Sequence, residues 1–133
     1  MIFLDTNIIS YYFSANTKIK EKLIEAIENN ENICTTVINV YEILKGFKWR
    51  NNKKKENQFK EFLEDIAIFT IDEDVVDIAS DLYSSLRQTG KTIGDADILI
   101  AAIVIKNDGT LVSNNLKHYE SIKQLKLIDW IDT

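Results

Sequence analysis

The chain contains no proline and only four glycines among its 133 residues. With so few obligate breakers, long helices joined by short loops are expected. A single cysteine, Cys34, excludes an intrachain disulfide and favours a reducing, cytoplasmic setting. No apolar stretch reaches the roughly 18 residues that a membrane span requires. Met1-Ile2-Phe3-Leu4-Asp5 runs straight into an acid, without the basic start or longer apolar segment of a secretory leader. Arginine is scarce, 2 against 14 lysines, while isoleucine occurs 21 times and asparagine 12 times, a usage that fits an AT-rich, prokaryotic coding sequence. What remains is ordinary for a globular protein: 45% apolar and 28% charged residues, which argues against disorder and predicts one domain spanning residues 1–133.

A formal net charge of −5 argues against a strongly basic nucleic-acid binder, but the charges are not evenly spread. The stretch 45–60 holds seven cations (Lys45, Lys48, Arg50, Lys53, Lys54, Lys55 and Lys60) against one anion, Glu56. A local basic patch on an acidic body can guide a polyanion, because attraction beyond about 10 Å is screened at physiological salt. The plainer reading is a helix face with its lysines extended into water.

Ile2-Phe3-Leu4 reads as a short buried strand ending at Asp5, followed by a short helix over 6–13. Ile19, Leu23, Ile24 and Ile27 form one helical stripe over 18–29. A second strand is expected at 33–36, then a helix over 37–47 broken at Gly46. The segment 53–65 places Phe59, Phe62 and Leu63 at helical spacing, and 66–71 reads as a third strand. Asp72 is placed to cap a regular amphipathic helix that Gly90 ends. A helix from Asp97 to Lys106, apolar all round over 98–105, predicts burial at the centre of the fold. Strands at 110–113 and 125–128 complete the series. Alternating strands and helices imply crossovers, and hence an α/β fold: a single three-layer α/β/α domain around a parallel sheet of four to five strands.

In such a sheet, ligands lie outside the carboxyl ends of the strands. Asp5 ends the first strand, Ser113, Asn114 and Asn115 follow the fourth, Asp95 and Asp97 open the buried helix, and Glu42 lies about one and a half turns into the helix after the second strand. Convergence of such acids is costly: two unit charges about 4 Å apart repel by roughly 1 kcal/mol in water and ~4 kcal/mol at an effective dielectric of 20. A hard divalent cation removes the penalty, and Mg²⁺ or Mn²⁺ prefers oxygen ligands. Cys34 and His118 are the sole soft or imidazole candidates, which leaves little support for a transition-metal site. Plainer roles are also open. Asp95 can be a helix cap or dipole partner. Glu42, among Val40, Ile43 and Leu44, is more costly to bury without a cation. Cys34 reads as a core residue, His118 as a loop residue, and Tyr119 and Trp130 as packing residues.

Four stretches, in order, resemble the PIN-domain ribonucleases, most closely the VapC-type toxins of toxin–antitoxin pairs. They are Ile2-Phe3-Leu4-Asp5-Thr6-Asn7-Ile8-Ile9, the segment Thr36 to Gly46 around Glu42, Ile93 to Ala102 around Asp95 and Asp97, and Leu111 to Tyr119 around Ser113 and Asn115. The resemblance implies a Mg²⁺- or Mn²⁺-dependent endoribonuclease in which Asp5 and Asp97 are the main metal ligands and Glu42 a further acid reaching metal or water. Thr6 and Asn7 would orient Asp5 or a phosphate oxygen, Thr36 and Ser113 would support the site, and Asp95 would be an accessory acid. The family often carries aspartate where this chain has Asn115, which supplies no charge, so one metal site is expected rather than two. A homodimer, an RNA substrate and a VapB-like antitoxin are implied partners, and Lys45, Lys48, Arg50, Lys53, Lys54 and Lys55 are candidate contacts to RNA or antitoxin.

Other classes fit less well. A haloacid dehalogenase-type phosphotransferase needs a second acid two residues after the first, where this chain has Asn7. A receiver domain needs paired acids after its first strand, and the glycine-rich lysine motif of a P-loop enzyme is missing. A catalytically degenerate PIN fold acting as an RNA- or protein-binding module remains the alternative, although such a module would not require Asp5, Glu42 and Asp97 together.

Overall fold

A computed structural model describes residues 1–131. The elements are β1 (Ile2–Leu4), α1 (Thr6–Phe13), α2 (Thr17–Glu28), β2 (Ile33–Thr36), α3 (Val37–Trp49), α4 (Lys53–Leu63), β3 (Ala67–Phe69), α5 (Glu73–Gln88), α6 (Asp95–Lys106), β4 (Thr110–Val112), α7 (Leu116–Tyr119) and β5 (Lys126–Ile128). The five strands form one sheet in the order β3-β2-β1-β4-β5. All four pairings are parallel, with Phe3 opposite Cys34 on one side and Leu111 on the other. This is the expected α/β architecture.

Side-chain alternation along the strands divides the core in two. Phe3, Cys34 and Leu111 face a cluster with Val75, Ala79, Leu82 and Leu86 of α5 and the buried run of α6. Leu4 and Val112 face the opposite cluster, built from Ile8, Ile9, Ile19, Leu23, Ile43 and Phe59 of α1 to α4. Helices therefore cover both faces, and the six residues Ile98 and Ile100–Val104 account for the all-round apolar character of α6. Gly109 is needed where the chain enters β4: a Cβ there would lie 2.5 Å from Phe3 Cε2.

Asp72 caps α5 by accepting from Val75 N at 2.9 Å, and Gly90 follows the helix in the left-handed region at φ +73°. The expected break at Gly46 does not occur, since α3 continues to Trp49. One interior glycine costs a helix only about 1 kcal/mol; the turn comes instead at Asn51, with φ +54°, and Asn52 caps α4 by accepting from Lys55 N. The third strand is shorter than expected, three residues within 66–71. Among the described residues no helix is long and apolar enough to cross a membrane.

Candidate active site

Because every strand runs the same way, Asp5, Thr36 and Ser113 all arrive at one edge of the sheet. Asp5 is both the residue after β1 and the N-cap of α1, and it is 3% exposed. Its Oδ1 accepts from Thr6 N at 3.0 Å and from Asn39 Nδ2 at 2.9 Å, while Oδ2 accepts from Ser113 Oγ at 2.7 Å. Burial raises the Asp5 pKa; the bonds from Ser113, Thr6 and Asn39 oppose the rise, and the nearby charge of Asp97 adds to it.

Asn39 organises this wall from a fully buried position. Its Oδ1 accepts from Thr36 Oγ1 at 2.7 Å, and its amide also donates to Thr6 Oγ1 at 3.0 Å. Thr6 Oγ1 in turn donates to Glu42 Oε1 at 2.7 Å. Thr36, Asn39 and Glu42, spaced three apart on one helical face, thus connect to Asp5 through a continuous chain of bonds.

The opposite wall belongs to α6 and α7. Asp97 Oδ1 accepts from the Tyr119 hydroxyl at 3.2 Å, and Oδ2 lies 3.0 Å from His118 Nδ1. Tyr119 is 1% exposed. Burial, then the charges of Asp5 and Asp97, push its phenol pKa up. A cavity of about 550 Å³ opens between the two walls, lined by Asp5, Asn7, Glu42, Asp97, Asn115 and His118 among others.

The sequence-derived candidates fall into distinct places. Asp5, Thr6, Asn7, Glu42, Asp97 and Asn115 share the cavity. Thr36 and Ser113 are buried behind it, and Ser113 Oγ also accepts from Asn115 N at 3.0 Å. Asp95 lines a different cavity, with Val76, Tyr83 and Leu99 between α5 and α6. His118, expected in a loop, lies on α7 and reaches the acid instead. Tyr119 is a packing residue that also hydrogen-bonds Asp97, and Asn39 is a residue of the site that sequence reasoning misses. Neither has a signal in periodicity; the threefold spacing from Thr36 to Glu42 is the available clue to Asn39.

The basic run is less free than its sequence indicates. Glu56, 3% exposed, draws Lys48 to 3.1 Å, Lys53 to 3.8 Å and Lys60 to 2.9 Å. Lys60 and Lys48 hold the Glu56 carboxyl down at about 2. Lys45 sits 5.1 Å over the Tyr41 ring, Lys55 donates to Phe13 O at 3.1 Å, and Lys54 and Arg50 are exposed.

The donors suit a hard cation. Among the described residues no three His, Cys, Asp or Glu side chains are close enough to ligate one ion as they stand. Mg²⁺, however, is usually held by one or two carboxylates with water completing its shell. Asp5 and Asp97 supply such a pair, and Asn7 Oδ1, buried on the same cavity without a hydrogen-bond partner, is an acceptor that a cation or its water would satisfy.

A parallel sheet flanked by helices, with an acidic cavity at the carboxyl edge of its strands, defines an α/β class, and comparison with known proteins makes the class specific. The chain belongs to the PIN-domain family, whose model matches residues 2–123. It is 32% identical over 129 residues to Ribonuclease VapC2 of Rickettsia felis, covering 96% of both chains. It is likewise 32% identical to Ribonuclease VapC1 of Methanocaldococcus jannaschii, covering 96% of this chain and 87% of that one. Among solved structures, VapBC2 of Rickettsia felis bound to a promoter DNA fragment aligns with a TM-score of 0.86 at 31% identity, covering 98% of this chain and 99% of the other. VapBC-1 of nontypeable Haemophilus influenzae aligns at 0.84 and 26% identity, covering 98% of both.

Proposed function

We propose that this chain is a divalent-metal-dependent endoribonuclease, the VapC-type toxin of a toxin–antitoxin pair, restrained in the cytoplasm by a VapB-like antitoxin and acting as a homodimer. The observation that carries the chemistry is the meeting of Asp5 and Asp97, from segments far apart in sequence, on one cavity. The nuclease names of full-length relatives and the occurrence of structural neighbours as VapBC complexes support the substrate class and the partner.

Mg²⁺ or Mn²⁺, when bound, supplies the charge that activates water and stabilises a phosphodiester's developing negative charge. Asp5 and Asp97 would hold the ion. Asn39, Thr6 N and Ser113 fix both oxygens of Asp5; Tyr119 and His118 fix those of Asp97. Preset ligands of this kind spare the site reorganisation as charge develops. Glu42, held by Thr6 at the cavity wall, would orient the attacking water or share the ion. Asn7 and Asn115 face the same space with neutral groups suited to phosphate oxygens or water. In-line attack by water would leave 5′-phosphate and 3′-hydroxyl ends.

Purified protein should cut RNA with Mg²⁺ or Mn²⁺ and stop with EDTA. Asp5→Asn and Asp97→Asn should each abolish cutting while circular dichroism remains native. Undiminished cleavage by both variants would overturn the assignment, as would activity that persists in excess chelator.

A further inference from the structure

Helices α1 and α3 pack against each other beside the acidic cavity. On α1, Thr6, Ser10 and the C-cap Ser14 recur every four residues; on α3, Glu42, Gly46 and the C-cap Arg50 do the same. Each trio therefore lies along one helical face over about 12 Å. The Thr6–Glu42 hydrogen bond of 2.7 Å joins the two faces at the acidic end. At the other end, Ser10, Ser14, Arg50, Asn52 and Lys55 line a cavity of about 350 Å³. Ser10 lines this cavity and the acidic one alike, so the two are neighbours.

The charge of this second cavity is available to a ligand. Lys48, Lys53 and Lys60 turn inward on Glu56. Neither Arg50 nor Lys55 has a carboxylate partner among the described residues; Lys55 is held by the carbonyl of Phe13. Arg50 lies back along α3 toward Gly46, where a Cβ would sit in ordinary contact with Arg50 Nη1 at 3.4 Å. A guanidinium, an ammonium and two hydroxyls share one recess with Phe13 and Phe47, and these are donors that a phosphate takes.

We propose that this recess is a subsite for a phosphodiester of the RNA strand adjacent to the one that is cut. It rests on the ribonuclease reading and deepens it: the strand crosses the acidic cavity at its scissile phosphate, passes Ser10, and is gripped by Arg50 and Lys55. The subsite sets the path of the strand.

The test uses the full chain carrying Asp97→Asn, so that RNA is bound without being cut, and a fluorescein-labelled 12-nucleotide single strand of mixed sequence. Binding is followed by anisotropy in Mg²⁺ from 50 to 300 mM KCl. Adding Arg50→Gln and Lys55→Gln should weaken binding at least ten-fold at 100 mM KCl. It should also lower the slope of log K against log salt by about 0.7 for each phosphate that is no longer neutralised. Arg50→Gln alone, at an exposed position, should give part of both effects. The charge-matched control Lys91→Gln with Lys123→Gln should leave slope and affinity unchanged. Equal losses in both pairs, or no loss in the Arg50 and Lys55 pair, would overturn the subsite while cleavage by the otherwise unchanged chain leaves the nuclease reading standing. If the unaltered chain neither cuts nor binds RNA, both readings fall.

Discussion

The side-chain amide of Asn39 donates to the Asp5 carboxylate at 2.9 Å, joining residues 34 positions apart at the centre of the site. The same amide donates to Thr6 Oγ1, and the Asn39 carbonyl takes the Thr36 hydroxyl. Replacing Asn39 by aspartate keeps the shape, removes both donations and places a second buried carboxylate beside Asp5. Removing donors from buried acceptors and adding an unpaired charge should together cost about 3 kcal/mol at pH 7. The new acid would ionise less readily in the folded state than in the unfolded one, so its penalty grows as pH rises through the carboxylate range. Urea unfolding of Asn39→Asp should therefore show a smaller deficit at pH 4.5 than at pH 7. Equal stability of variant and parent at pH 7 would refute this account of Asn39.

Asp5 carries the opposite prediction. Its pKa is raised, chiefly by burial. In the folded metal-free protein its charged form is therefore disfavoured, and this disadvantage is present at neutral pH and vanishes once the group is protonated. Asparagine fits the same bonds: its Oδ1 can accept from Thr6 N and Asn39, and its amide can donate to Ser113 Oγ. In EDTA at pH 7, Asp5→Asn should melt ~3–5 °C above the parent chain, with the gap closing near pH 4. Added Mg²⁺ should raise the parent's melting point by mass action and leave the variant's unmoved. A variant that melts lower in EDTA at pH 7 would contradict the burial argument.

What is legible in the sequence is what is local. The strand ends, the Asp72 cap and the apolar run of α6 depend on short-range spacing, and the structure has them where the spacing places them. Asp5, Glu42 and Asp97 stand out as acids in motif positions, and they share a cavity. His118 and Tyr119 look bland in the sequence because their partner, Asp97, lies 22 residues from Tyr119 and meets it only through packing of α6 against α7. Glu56 is hidden in a run of lysines. Yet Glu56, Phe59 and Leu63 share the helix face that meets α3 and the core below it, so a strict 3.6-residue period turns that acid inward. Gly46 resembles a breaker because propensity is local, whereas α3 is held by the core contacts of Ile43, with Val40, Leu44 and Phe47 packed beside it.

Tyr119 should matter to the ion more than to the fold. Its hydroxyl donates to Asp97 Oδ1 at 3.2 Å, while its ring is buried among core residues. Phenylalanine keeps the ring and removes the donor that orients the carboxylate. Loss of such an outer hydrogen bond weakens metal binding by about ten-fold or more. Titration calorimetry with Mn²⁺ should show that loss for Tyr119→Phe, with a melting point in EDTA within ~3 °C of the parent. An unchanged Mn²⁺ affinity would mean that Asp97 needs no help from the phenol.

Glu56 gives the acid-stability prediction its clearest sign. Lys60 and Lys48 lower its pKa to about 2, against about 4.3 for a glutamate in an unfolded chain. A depressed folded-state pKa contributes stability that is complete above the unfolded value and is lost as pH falls toward the folded one. Glu56→Gln removes the ion pair that ties α4 to Lys48 of α3 and the pair with Lys60 within α4, so it should lower the melting point at pH 7. Between about pH 5 and pH 2 the parent should lose this advantage while the variant does not, and the two melting curves should converge. Parallel curves across that window would show that the buried acid is not titrating against its three lysines.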